Sequence, residues 1–140
     1  MLTGEIFPAS GELRLASNLI LSVVPQQAHL SGSLRHFIQE SQIDETLFKT
    51  ILRKLDFSRE QFEKDMSAYS AGQKKKVLIA RSLCQKAHLY LWDELLNYID
   101  VLSRMQIERL IAQFRPTMLL IEHDKKFVEE LSTRIIRLEN

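Results

Sequence analysis

Runs of apolar residues and apolar–polar alternation predict five short strands in this chain. The predicted strands are Glu12–Ala16, Leu19–Val24, Leu89–Trp92, Thr117–Ile121 and Arg134–Leu138. Leu89–Trp92 and Thr117–Ile121 are nearly all apolar, which is typical of strands buried on both faces of a parallel sheet. Glu12–Ala16 alternates instead, with Leu13 and Leu15 on one face. A buried sheet is therefore expected to include the strands of the second half.

Helical segments lie between the strands, and each begins at a residue that can cap a helix. The predicted caps are Ser33, Asp44, Ser58, Ser70, Asp100 and Asp124. Ser70 and Gln73 have the form of a capping box, in which the two side chains bond each other's backbone N–H groups. Ser58 and Gln61 repeat this pattern. The helix after Asp100 is expected to bury one face, formed by Ile107, Leu110, Ile111 and Phe114.

Bulk properties describe an ordinary globular domain. The chain has 140 residues, of which 45% are apolar and 26% are charged, and its net charge is +1. This charge creates no strong field toward nucleic acid or membranes. The single cysteine, Cys84, shares an apolar helix stripe with Val77, Ala80 and Leu83, so a core position is expected. No signal peptide is evident and no apolar run reaches about 18 residues, so a cytoplasmic protein without a membrane span is expected.

The glycine turn at Ser70–Gln73 is a candidate phosphate site. A helix start presents unpaired N–H groups, and here a serine hydroxyl and Lys74–Lys76 lie beside it, with Arg81 farther along. Gly72 allows either a close backbone approach or a positive φ. The alternative is an ordinary capped surface helix, because helix starts are far commoner than phosphate sites.

Two carboxylates follow the strand Leu89–Trp92 directly. They are Asp93 and Glu94, and ligands of open α/β sheets bind where the strands end. Adjacent acids at that place can hold Mg²⁺ and orient a water, whereas alone such a pair is more often a solvated turn. His123 follows the strand Thr117–Ile121 in the same way, although a lone loop histidine is usually a surface residue. Together these residues predict a site at the end of the sheet.

In combination these features resemble an ABC-type ATPase over nearly all of the chain. Ser70–Gln73 matches the family's signature loop, Leu89–Glu94 its Walker B strand with the catalytic glutamate, and Asn97–Asp100 its D-loop. The segment Trp92–Asp100 is most similar to the ABC-F branch, and within it to the second ATPase domain of proteins that protect bacterial ribosomes from antibiotics. The resemblance implies an α/β fold with a mostly parallel core sheet and an inserted helical subdomain.

The resemblance also implies roles for individual residues and the cofactors ATP and Mg²⁺. Asp93 would hold Mg²⁺ and Glu94 would polarise the attacking water. Gln26 matches the Q-loop glutamine that reaches the metal and the water, with Gln27 as an alternative, and His123 matches the switch histidine at the γ-phosphate. The signature residues Ser70, Ala71, Gly72 and Gln73, and Asp100 of the D-loop, would serve the ATP bound to a second ATPase domain.

Comparison with the family divides the chain into three parts and shows what it lacks. Residues 1–30 would form a β segment with the Q-loop, 31–86 the helical subdomain with the signature helix, and 87–140 the remaining core. The motif G-x-x-x-x-G-K-[ST], which cradles phosphates, is absent, since no glycine is followed by lysine. Met1–Glu5 resembles the tail of the helix after that motif, so the chain is expected to be a C-terminal piece of a longer ATPase.

Two departures and one consequence follow from this comparison. Leu95 stands where the family usually has a proline that stiffens the turn placing Glu94, and Ala71 replaces a glycine of the signature. Without the phosphate-binding strand and helix, apolar core surface would be bare, so the isolated chain is expected to bind ATP weakly and to self-associate.

Three functions are compatible with the resemblance. The first, favoured by the D-loop Asn97–Asp100, is an ABC-F domain that acts with a second ATPase domain on the ribosome and its RNA, as in antibiotic resistance. The second is the ATPase domain of a membrane transporter. The third is a non-catalytic remnant that serves only as an interaction module.

Overall fold

The computed structural model describes residues 10–138 and has an α/β architecture, as predicted. Within these residues three strands form one parallel sheet in the order β1-β2-β3. The strands are β1 Leu21–Val24, β2 Leu89–Asp93 and β3 Met118–Ile121. The α-helices are α1 Leu34–Ser41, α2 Glu45–Lys54, α3 Ala71–Cys84, α4 Val101–Phe114 and α5 Lys125–Leu131, and short 3₁₀ helices span Arg59–Glu63 and Met66–Ala68.

The parallel arrangement brings the ends of all three strands to one edge of the sheet. Val24 pairs with Trp92, and Asp93 pairs with Ile121. The segments that follow the strands therefore emerge side by side. We call this edge, with the residues Pro25–Gln27, Glu94–Asn97 and Glu122–Asp124, the carboxyl edge.

One face of the sheet packs on α3, whose middle is buried on all sides. Trp92 donates its indole N–H to Ser82 Oγ at 2.8 Å, and Ser22 Oγ lies 2.6 Å from the same oxygen. Every residue of the segment Lys75–Ala80 is buried. The alternative of an ordinary surface helix is therefore wrong. Cys84 is half-buried near the end of α3, and burial raises the pKa of its thiol to about 11.

The opposite face of the sheet is open. Alternate residues of β3, Leu119 and Ile121, are 43% and 52% exposed, and their neighbours on β1 and β2, Val23 and Leu91, are only partly buried. We call these four residues the open face. A strand apolar on both faces is typical of a sheet covered on both sides.

Two of the predicted strands do not form. Glu12–Ala16 and Arg134–Leu138 have no regular structure and pair with no strand among residues 10–138. Leu13 and Leu138 are 42% and 90% exposed. A single extended segment leaves its backbone N–H and C=O groups unpaired, so the apolar pattern alone does not make it a strand. The predicted Met1–Glu5 helix tail lies outside the described residues.

The predicted helix caps are largely confirmed. Ser33, Asp44, Asp100 and Asp124 each accept a hydrogen bond from the backbone N–H three residues later, at the starts of α1, α2, α4 and α5. The segment after Ser58 is 3₁₀ helix, and Phe114 at the end of α4 is 67% exposed, so its expected burial is wrong. Across residues 10–138, none of the helices has the length and apolar character that a membrane crossing requires.

Candidate functional site

A glutamate at the carboxyl edge gathers polar groups from all three strand ends. Gln26, after β1, donates its side-chain N–H to Glu94 Oε2 at 2.6 Å. Asn97 donates to the same oxygen at 2.6 Å. His123, after β3, has Nε2 3.4 Å from Glu94 Oε1. We call Gln26, Glu94, Asn97 and His123 the Glu94 cluster. The sequence predicted three of its four members as site residues.

The position of Glu94 depends on the end of β3. Its backbone is left-handed, with φ 45°, and its N–H donates to Ile121 O at 2.8 Å. Two residues on, the Leu96 N–H donates to Glu122 Oε1 at 2.8 Å. Leu95, between them, is fully buried. Core packing, one hydrogen bond to the last residue of β3 and one to the residue after it thus hold the turn where the family usually has a proline.

Asp93 and Gln26 each have a side-chain oxygen without a hydrogen-bond donor among residues 10–138. The Asp93 carboxylate has no hydrogen-bond partner among residues 10–138, although its residue is only partly exposed. Gln26 uses its amide N–H on Glu94, which leaves its amide oxygen as an acceptor. No group of three or more His, Cys, Asp or Glu side chains in the described part could hold a metal. One carboxylate and one amide oxygen fit Mg²⁺, which is typically held by few protein ligands together with phosphates.

The segment Ser70–Gln73, which we call the signature turn, forms the capping box that the sequence predicted. Ser70 Oγ accepts from the Gln73 N–H at 3.2 Å, and Gln73 Oε1 accepts from the Ser70 N–H at 2.9 Å. Ala71 is exposed. A Cβ on Gly72 would lie 2.3 Å from the carbonyl oxygen of Tyr98 in the D-loop. Of the two alternatives for Gly72, the structure therefore has the close backbone approach, and the approaching group is the D-loop.

Most basic side chains of α3 form ion pairs or hydrogen bonds within the chain. Lys76 Nζ lies 2.6 Å from Asp100 Oδ2, and Arg81 donates to Val23 O at 2.9 Å. Lys75 is buried and donates to backbone carbonyl oxygens at the carboxyl edge. Burial lowers the pKa of Lys75, against the opposing effect of nearby carboxylates. The expectation that this basic group faces a phosphate is therefore wrong for all but Lys74, whose side chain makes no ion pair or hydrogen bond within residues 10–138.

Asp100 links the D-loop to α3 and α4. Its Oδ1 accepts from the Ser103 N–H and its Oδ2 from Ser103 Oγ, both at 2.8 Å, which caps α4. Partial burial would raise the pKa of this carboxyl, but the hydrogen bonds from Lys76 and Ser103 outweigh it and lower the pKa to about 2. Asp100 is thus ionised and fully engaged within the chain.

Three residues of this edge were not singled out in the sequence. Asn97 is predicted only as part of the D-loop, and no prediction is made for Glu122, which follows β3 directly. Lys75 was grouped with its neighbours, yet its spacing from Ile79 and Ser82, four and seven residues on, puts it on the buried face of α3. That spacing was a usable signal.

Comparisons with known proteins are consistent with this geometry. The sequence model of the family described as "ABC transporter" matches residues 1–97. The probable ATP-binding protein YbiT of Escherichia coli O157:H7 is 27% identical over 98% of this chain and 27% of its own length. The putative ATP-binding protein YdiF of Bacillus subtilis is 27% identical over 95% of this chain and 22% of its own length. The chain thus spans about a quarter of the length of these curated relatives.

A solved structure shares the fold. It is described as a model of ribosome-bound archaeal Pelota and ABCE1, and it matches with a TM-score of 0.65 and 25% identity. The match covers 80% of this chain and 20% of that chain.

Proposed function

Because this chain belongs to the ABC transporter family of ATPases, we propose that it supplies the water-activating part of an ATP site in an ABC-F-type protein. Relatives such as YdiF are of the ABC-F type. The observation that carries the proposal is the Glu94 cluster, in which one carboxylate contacts side chains from all three loops of the carboxyl edge.

Glu94 is the proposed general base. Gln26 and Asn97 both donate to Oε2, so that oxygen is occupied and the carboxylate is fixed in orientation. Oε1 is left to accept a hydrogen bond from the attacking water. A positioned base of this kind typically contributes 10²–10⁴-fold to a rate, by the order of magnitude known for general bases. His123, whose side chain is 86% exposed, is proposed to face the γ-phosphate.

Asp93 and Gln26 are the proposed Mg²⁺ ligands. The carboxylate of Asp93 and the amide oxygen of Gln26 are both without a hydrogen-bond donor among the described residues. When bound, Mg²⁺ neutralises phosphate charge and holds the phosphate chain in position.

Most contacts to the phosphates of ATP are proposed to come from a segment that carries a Walker A motif. The glycines of this chain are Gly4, Gly11, Gly32 and Gly72, and none belongs to such a motif. Backbone N–H groups and a lysine of that motif provide most of the phosphate contacts in P-loop enzymes. The 140-residue chain alone is therefore expected to bind MgATP very weakly, and micromolar binding in a calorimetric titration would contradict this.

A second ATPase domain is the proposed partner of the signature turn. Ser70, Ala71, Gly72 and Gln73 would serve the ATP of that domain, with Asp100 holding the D-loop beside them. Tyr98, Val101 and Leu102 flank Asp100 along the chain and are 76%, 72% and 66% exposed, and the Tyr98 carbonyl oxygen approaches Gly72 of this turn. Such an apolar surface is typical of a face that another protein covers.

We further propose that the protein works at the ribosome in the cytoplasm, and that this action confers antibiotic resistance. The ABC-F type of the relatives supports this, as does the fold shared with ribosome-bound ABCE1. The division of the chain at residues 30 and 86 is retained as part of the proposal, since residues 31–86 hold α1, α2 and α3 between the first two strands.

Reconstitution tests the proposed function. The chain is mixed with a segment of an ABC-type ATPase that carries a Walker A motif, and phosphate release from MgATP is measured. Hydrolysis is expected only when both pieces are present. A Walker A segment with its lysine replaced by alanine is the matched control and should give none. Absence of hydrolysis from a stable complex of both pieces would favour a non-catalytic remnant and overturn the proposal. Co-sedimentation of the active complex with ribosomes tests the partner.

A further inference from the structure

Lys75 is a buried cation whose bonds all go to the carboxyl edge. It is 2% exposed, on the second turn of α3. Its Nζ donates to Pro25 O at 2.8 Å, Gln26 O at 2.9 Å and Asp93 O at 3.2 Å. All three acceptors are backbone oxygens, and an ammonium group has three N–H donors. The group is therefore fully satisfied by two neighbouring strand ends.

The position of these acceptors links Lys75 to the Glu94 cluster. Two of them belong to the loop that presents Gln26, and the third belongs to the residue before Glu94. The Gln26 side chain reaches Glu94 Oε2 at 2.6 Å, so the distance between the two backbones is closely set. A buried ammonium group shared by both backbones fixes that distance, because leaving the charge without any of these acceptors would be costly.

The same side chain connects the cluster to the signature turn. Lys75 lies two residues after Gln73, which closes the capping box at the start of α3. A rotation or shift of α3 would therefore move the Lys75 ammonium group relative to the two strand ends. Movement of α3 would therefore change the position of Gln26.

We propose that Lys75 is a positioning residue, which holds Gln26 on Glu94 and couples the orientation of the signature helix to the water-activating cluster. This inference rests on the proposed function, since it assigns Lys75 a part in preparing that site. Lys75 is buried, and its Nζ donates only to backbone carbonyl oxygens within the described part of the chain. It acts through the backbone carbonyls of Pro25, Gln26 and Asp93.

The test is an NMR measurement on the ¹⁵N-labelled chain, which requires no ATP. The side-chain amide signals of Gln26 are assigned by their loss in Gln26→Ala. In Lys75→Met, these signals are expected to move toward those of a free glutamine, and their exchange with water to rise at least about tenfold, as for a lost charge-assisted hydrogen bond. Lys74→Met, on the same turn, is the matched control and should leave them unchanged.

A purely structural role gives a different result. If Lys75 only stabilised the fold, the molecules that remain folded would keep the Gln26 signals and exchange rates of the unchanged chain, and the proposal would be overturned. Should Lys75→Met leave too few folded molecules, Lys75→Gln is measured instead, since it removes the charge but retains N–H donors. The same shift is expected there, and unshifted signals again contradict the proposal.

Kinetics on the reconstituted complex provide a second measurement. Lys75→Met is expected to lower kcat about tenfold with KM for ATP unchanged, while Lys86→Met, at an exposed lysine just beyond α3, changes neither. If the unchanged complex shows no hydrolysis, the proposed function fails, and the NMR result still decides whether Lys75 positions Gln26.

Discussion

The Glu94 carboxylate presents two different oxygens to its surroundings. Oε2 accepts from both Gln26 and Asn97 at 2.6 Å, and Oε1 faces His123 at 3.4 Å. Hydrogen bonds to an ionised acceptor are stronger than neutral ones, so the two amides restrict rotation of the carboxylate. The oxygen left for water is consequently the one nearest the histidine.

Gly72 has no side chain, which allows the backbone of the D-loop to pack closely against α3. Gly72→Ala would place a methyl group 2.3 Å from the Tyr98 carbonyl oxygen, so the D-loop or α3 must shift. We expect a loss of about 1–3 kcal/mol of unfolding free energy, the usual cost of overpacking. Urea unfolding followed by Trp92 fluorescence measures it. Ala71→Gly, at an exposed neighbour, is the control and should cost at most about 1 kcal/mol. Equal effects would contradict the close approach.

Asp100 makes stability depend on pH in the acid range. Its pKa is about 2 in the folded chain against an ordinary value of 3.8. The folded state therefore binds fewer protons than the unfolded state between these values, so the stabilisation is complete above pH 4 and is lost as pH falls toward 2. Asp100→Asn should lower stability at pH 7 and flatten the pH dependence in this window, where Asp124 also contributes. An unchanged profile in urea unfolding would rule this out.

The turn between β2 and α4 is stabilised by a residue that lies outside the turn. Glu122, after β3, accepts the Leu96 N–H at 2.8 Å. Glu122→Ala leaves that partly buried N–H without its acceptor, and we expect a loss of about 1–2 kcal/mol. Glu122→Gln retains an oxygen acceptor and should cost less than about 0.5 kcal/mol. Similar losses in both variants, measured by urea unfolding, would show that the hydrogen bond does not hold the turn.

The elements that sequence predicted well are those with strong local signals. Capping boxes and apolar runs identified α3, β2 and β3 because both arise from bonds or burial close in sequence. The segments Glu12–Ala16 and Arg134–Leu138 were wrong because a strand needs a neighbour, which no local pattern provides. The spacing of Lys75 indicates its burial, but no local pattern identifies its hydrogen-bond acceptors. Its acceptors lie 50, 49 and 18 residues away along the chain.

At the scale of the whole molecule, the open face predicts self-association. Leu119 and Ile121 are exposed on one side of the sheet beside Val23 and Leu91. Sedimentation velocity should show concentration-dependent association, which Leu119→Lys weakens by placing a charge on that face. Leu47→Lys, at a similarly exposed leucine on α2, is the control and should associate like the unchanged chain. A clean monomer of the unchanged chain at high concentration would contradict the prediction.

The molecule also separates two tasks between its parts. The carboxyl edge holds the acids and amides, and the start of α3 carries the turn Ser70–Gln73, for which a second ATPase domain is the proposed partner. Lys75 and the contact between Gly72 and Tyr98 join these two regions. A change at either region is therefore expected to reach the other through α3.

The most direct measurement compares two neighbouring glutamates in the reconstituted complex. Glu94→Gln should lower kcat for ATP hydrolysis by about 10²–10⁴-fold with ATP binding retained, since it removes the base but keeps the shape. Glu122→Gln, at the same edge and with its hydrogen bond to Leu96 retained, should stay within about tenfold of the unchanged complex. Hydrolysis that survives Glu94→Gln, or falls equally in both variants, would contradict the assignment of Glu94 as the base.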